Sequence, residues 1–171
     1  MSRIALLVVL AFVAVPAAFA DDGPSPSSQA STLCKQQRTA VGTTAFKLLY
    51  GGSANAYGRC VSKLAGNVQS ANANALKQCA AERADATFAA SHDGKTFAQV
   101  YGSGHGNSAF GKCVSTKAKA LSDDRQESTI AAAKTCKAER TQMGATAFTK
   151  QYGGRANAFG KCVSKLTKAG Q

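Results

Sequence analysis

Apolar and polar positions along this chain follow one ten-residue phrase that recurs three times. It reads NAYGRCVSKL at 55–64, SAFGKCVSTK at 108–117 and NAFGKCVSKL at 157–166. In the last copy Phe159, Cys162, Val163 and Leu166 stand at i, i+3, i+4 and i+7, one face of an α-helix. Lys161 and Lys165 fall on the opposite face. The first copy repeats this with Tyr57, Cys60, Val61 and Leu64 on the apolar face and Arg59 and Lys63 on the other. The middle copy keeps Phe110, Cys113 and Val114 but has Lys117 in place of leucine, so its apolar stripe is weaker. Asn55, Ser108 and Asn157 are suited to cap these helices.

An aromatic pair precedes each phrase: Phe46/Tyr50, Phe97/Tyr101 and Phe148/Tyr152. Spacing of four puts both rings on one face of a short helix, which Gly51, Gly102 or Gly153 ends. The rings read as core, with the tyrosine hydroxyls reaching toward the surface. Further upstream lies a helix bearing a first cysteine (Cys34, Cys79, Cys136). Each unit therefore reads as three helices, A, short B and C, and an internal repeat of this length points to tandem helical architecture.

The middle unit is longer, and most of its extra residues lie between Cys79 and Phe97. Inserting six residues into one continuous helix would rotate its ends by about 120° relative to each other. A loop absorbs such a change, and His92-Asp93-Gly94 is a good turn sequence. Breaks are accordingly expected at Gly42, near Gly94 and at Gly144. A straight hairpin would place Cys136 about 25 Å from the turn at 153–156 and Cys162 about 9 Å from it. Those thiols could not meet within the roughly 7 Å that a disulfide allows. A break at Gly144 lets helix C fold back across helix A, so pairing within each unit (Cys34/Cys60, Cys79/Cys113, Cys136/Cys162) and the breaks support each other. The Ala-rich segments between units are expected to start helix A of the second and third units.

The expected fold is all-α: three tandem disulfide-closed repeats at 33–66, 67–120 (with the insertion) and 121–171. Residues 1–20 read as a secretory signal peptide, with Arg3, an apolar run from Ile4 to Val15, and Ala18-Phe19-Ala20 as cleavage site. Residues 21–32, rich in serine and proline, read as a flexible linker. No apolar run in the remainder is long enough to span a bilayer. Export favours disulfides for six cysteines, and the absence of a C-x-x-C pair argues against zinc.

Formal net charge is +12, from 21 Lys and Arg against 9 Asp and Glu. Such an excess suits an anionic polymer or surface: cell-wall polymer, nucleic acid or anionic lipid. The outward basic residues of the helix C phrase, Arg59, Lys63, Lys112, Lys161 and Lys165, are the repeated candidates for that contact. An ordinary solvated face would look the same in sequence. Gly58, Gly111 and Gly160, inside helix C, read as points of close packing against helix A or B.

Signals for catalysis are thin. No G-x-S-x-G, H-E-x-x-H or phosphate-cradling glycine loop is present. Glu82 and Glu139 align with each other, but the first unit has Gln37 there, so they read as ion-pairing residues. His92, Asp93 and His105 form the one polar cluster that is not repeated, and they are the candidates for a metal or catalytic site. No cofactor is expected.

The run from Tyr-Gly to AFGKCVSK resembles repeats found in secreted bacterial proteins that carry no assigned activity. That resemblance spans most of residues 34–166 and implies an exported, cysteine-paired helical repeat protein. It supplies no catalytic residues. The leading expectation is therefore a non-enzymatic, secreted or envelope-associated module that binds anionic partners. The alternatives are an enzyme or metal protein centred on His92–His105, and a structural spacer without a ligand.

Overall fold

A computed structural model describes residues 24–52, 54–102, 108–153 and 157–169. The segment 1–20, expected to be a signal peptide, and His105 lie outside the described residues. Six helices follow in order: α1 (Pro26–Val41), α2 (Thr43–Leu49), α3 (Ala56–Ala84), α4 (Phe97–Tyr101), α5 (Ala109–Tyr152) and α6 (Ala158–Ala169). The fold is all-α, with no strand among the described residues.

The three disulfides close within units, Cys34–Cys60, Cys79–Cys113 and Cys136–Cys162, with Cα atoms 6.0, 6.0 and 6.1 Å apart. The expected breaks are also present. Gly42 separates α1 from α2 at φ 82°, ψ 156°, and Gly144 kinks α5 at φ 81°, ψ 156°. That region of backbone space is open essentially to glycine alone. Gly94, at φ 76°, turns the inserted loop. Each unit thus has helices A, B and C, as the phrase and its flanks implied.

Two expectations about where helices begin and end differ from the structure. The Ser/Pro-rich stretch is helical from Pro26 onward, so residues 26–32 are not a flexible linker. Ser25 Oγ accepts from Ser28 N, Pro26 occupies the first turn, and Ala30 is buried. The units are also not separated by breaks. Helix C of unit 1 runs straight into helix A of unit 2 as α3, and α5 does the same for units 2 and 3. The boundaries at 66/67 and 120/121 therefore fall inside helices. One buried stripe explains the continuity: Cys60, Leu64, Val68, Ala71, Ala75 and Cys79 recur every three or four residues along α3.

α3 and α5 form a long antiparallel pair. Cys79 near the end of α3 is bonded to Cys113 near the start of α5, while Leu64 and Val68 lie beside Gln126 and Ser122. α1 packs on α3 and α6 on α5, and α1 and α2 also reach α5 and α6. Units 1 and 3 thereby share one core, in which Ala30, Phe46 and Leu49 join Ala133, Phe148 and Phe159. Gln126 Nε2 fastens the seam by donating to Leu33 O at 2.7 Å.

Unit 2 sits at the far end of the α3/α5 pair with a small core of its own. Phe88, on the insertion, is buried; His92 stacks on it with centroids 3.8 Å apart, and Phe97 lies 5.6 Å away.

Candidate anion-binding cleft

Because α3 and α6 each present a copy of helix C, the pairing of units 1 and 3 brings two basic stripes to one place. A cleft of about 360 Å³ is lined by Lys63 from α3 and by Lys161, Lys165 and Lys168 from α6, with Asn157 and Leu49. A neighbouring cleft of about 350 Å³ shares Leu49, Lys63 and Asn157 and adds Arg59 and Gly51. Four of the five basic residues singled out in the sequence therefore converge. Lys112, on α5 in unit 2, lies outside both clefts. Lys168 joins the group without having been singled out; its place three residues after Lys165 continues the same helical stripe.

Glycines make room for these cations. Arg59 Nη1 lies 2.7 Å from where a Cβ on Gly51 would stand, and Lys161 Nζ lies 3.6 Å from the same point at Gly153. The glycine that ends helix B is thus an open floor for the first basic residue of helix C. Of the glycines inside helix C, Gly160 lies close to a helix B, with Leu49 O 3.4 Å from where its Cβ would stand. A Cβ on Gly58 or Gly160 would meet Oδ1 of Asn55 or Asn157 at 2.4 or 2.6 Å, and one on Gly111 would meet nothing within 4 Å. The nearest neighbour at the first two is their own helix's N-cap residue.

Among the described residues no carboxylate lines either cleft. The chain has no Asp or Glu between Asp22 and Glu82 and none after Glu139, so the charged side chains of helices B and C in units 1 and 3 are all positive. With Arg59, Lys63, Lys161, Lys165 and Lys168 all exposed, the field over the cleft is of one sign.

A second constellation repeats in all three units and is structural. Three residues after the first cysteine stands Gln37, Glu82 or Glu139, and each accepts from the helix B tyrosine: Tyr50 to Gln37, Tyr101 to Glu82 at 2.9 Å, and Tyr152 to Glu139 at 2.8 Å. The same side chain comes 3.8, 3.9 and 3.8 Å from the sulfur of Cys60, Cys113 and Cys162. Those sulfurs are in disulfides and have no hydrogen to donate, so these are contacts. The Tyr50 hydroxyl is buried, not at the surface as the sequence suggested, whereas those of Tyr101 and Tyr152 lie at partly exposed carboxylates. All three tie helix B to helix A over the disulfide.

Burial sorts the acceptor. Gln37 is wholly buried in the shared core and neutral, whereas Glu82 and Glu139 are partly exposed and charged. Burial pushes Tyr50 up to about 12, against the lowering effect of its bond to Gln37. In unit 2, Lys117 pairs with Glu82 at 2.8 Å. This is the ion-pairing role expected for Glu82. Glu139 is instead held by Tyr152 and by Gln151 Nε2 at 2.8 Å.

His92 is committed to the insertion. Its Nδ1 stands 2.8 Å from Phe88 O, which requires an N–H donor there, and 3.0 Å from Ser91 Oγ. Asp93 takes φ 53° in the adjoining turn. Among the described residues no group of three or more His, Cys, Asp and Glu could hold a metal. None of their helices is long and apolar enough to cross a membrane.

No protein-family model, curated protein or solved structure matches the chain.

Proposed function

We propose that the protein is an exported, non-enzymatic module that binds anionic polymer through the cleft between units 1 and 3. One observation carries this reading: basic residues from units 1 and 3, far apart in sequence, line one cleft, and no carboxylate is among the described residues around it. Three buried disulfides and the signal-like N-terminus support export to an oxidising compartment. The resemblance to secreted bacterial repeat proteins agrees with that address.

The cleft suits charge rather than base recognition. Single-strand binders that read bases stack them on exposed aromatic rings. Here the one ring among the described lining residues is Tyr50, which is buried with its hydroxyl given to Gln37. The partner is therefore recognised by a run of regularly spaced negative charge. Binding of duplex DNA, anionic wall polymer and anionic vesicles, each titrated at rising salt, tests the reading. We expect affinity to fall steeply with salt, as counterion release requires. Absence of binding to all three at low ionic strength would overturn it.

A further inference from the structure

Unit 2 leaves open a face that unit 3 buries in the core it shares with unit 1. In unit 3 the residue three before the first cysteine is Ala133, fully buried in the shared core. Its counterpart in unit 2 is Leu76, a larger apolar side chain that is 42% exposed. Phe159, three before the second cysteine of unit 3, is buried, while its counterparts Phe110 in unit 2 and Tyr57 in unit 1 are half-buried, Tyr57 with its hydroxyl bonded to Ser31. Helix B shows the same contrast. Phe46 and Phe148 are buried, Phe97 only partly so, and α4 has no buried residue. Leu76, Ala80, Phe97, Ala98 and Phe110 together line an open groove of about 1080 Å³.

We propose that this groove is where two copies of the chain associate, unit 2 against unit 2. The molecule already shows what covers this face of the repeat: another repeat. With units 1 and 3 occupied by each other, the odd unit finds its counterpart only in a second molecule, and a two-fold contact of one patch with itself is the commonest closed solution.

The charges fit that occupant. The groove carries both signs, with Lys77 and Arg83 beside Glu82 and Asp85, and Arg83 lies over the Phe110 ring at 6.0 Å. A mixed rim is self-complementary when turned through a two-fold. The cleft end has cations alone and would repel its own copy. Association through unit 2 therefore holds the two cationic clefts at the far ends of the assembly, both open to polymer.

Sedimentation equilibrium of the oxidised full chain over a concentration series tests this, alongside Leu76→Glu and Lys161→Glu. Leu76 is exposed in the single chain, so its replacement spares the fold, which an unchanged circular dichroism spectrum and melting curve verify. We expect a reversible dimer for the natural protein and for Lys161→Glu, and loss of that dimer in Leu76→Glu. A natural protein that stays monomeric at every concentration would overturn the proposal. So would a dimer that Leu76→Glu leaves intact, or a monomer that gains mass only when an amphiphile or another protein is added.

Discussion

Lys117 Nζ stands 2.8 Å from Glu82 Oε1, at the helix C position where units 1 and 3 have leucine. The departure from the repeat is thus answered by a partner in helix A of the same unit. Lys117→Leu alone removes that partner and should cost about 1 kcal/mol, the upper range for a partly exposed pair. Glu82→Gln with Lys117→Leu rebuilds the unit 1 arrangement and should recover most of it. Thermal unfolding of the four proteins measures the coupling; strictly additive losses would contradict it.

The same pair shapes the response to pH. Burial pushes Glu82 up, but hydrogen bonds donated by Lys117 and Tyr101 outweigh it, and its carboxyl ends below the ordinary value of 4.5. A depressed carboxyl stabilises above its unfolded value, and that contribution disappears as pH falls through the folded one. At the other limb, burial holds Tyr50 at about 12 against 10.0 when unfolded. Its contribution is complete below 10.0 and is lost as pH rises toward 12. Denaturant titrations across pH should show a plateau between these limbs. Glu82→Gln should blunt the acid limb and Tyr50→Phe the alkaline one; a variant profile that parallels the natural one would count against the assignment.

Gln37 is neutral because it is sealed in the shared core. Gln37→Glu should cost about 3 kcal/mol or more, since the new carboxylate must ionise out of water or stay protonated. Glu139→Gln, at the same place in a more open unit, should change stability by about 1 kcal/mol or less. Equal effects at the two sites, read from urea midpoints, would show that burial does not choose the residue.

Glycines at breaks and glycines within helices should respond with opposite sign. Gly144→Ala forces φ 81° on a side chain and should destabilise by about 1–3 kcal/mol. Gly66 lies inside α3, where an added Cβ would meet nothing within 4 Å, so Gly66→Ala should stabilise by about 0.5–1 kcal/mol. Matching melting shifts at the two sites would be inconsistent with a kink at 144.

Local rules made much of the unit readable from sequence. Periodicity placed Phe159, Cys162 and Val163 inside, and the length of the insertion pointed to the breaks now seen at Gly42 and Gly144. Those breaks let the two cysteines of each unit meet, which supported the pairing seen. Relations between units were harder to read, because one repeat offers the same surface three times. Nothing in the phrase says that unit 1 will pack on unit 3 rather than on its neighbour. The continuity of α3 depended on small residues, Ala71 and Ala75, whose burial carries little hydrophobic signal. The anchoring of the tyrosine hydroxyls depended on a residue three beyond the first cysteine that changes type with burial. Of the cleft, the cations were legible as a helical stripe. Their convergence required the pairing of units 1 and 3.

That convergence is tested most directly by the salt dependence of polyanion affinity in charge variants. Duplex DNA serves as the probe, with log K followed against log salt for the natural protein, for Lys63→Gln/Lys165→Gln and for Lys112→Gln. We expect the cleft pair to weaken binding and to lower the slope by about 2, at roughly 0.9 for each phosphate no longer neutralised. Lys112→Gln, outside the cleft, should leave the slope unchanged. Equal losses from Lys112 and from the cleft pair would contradict the account, leaving a diffuse positive surface in place of a built site.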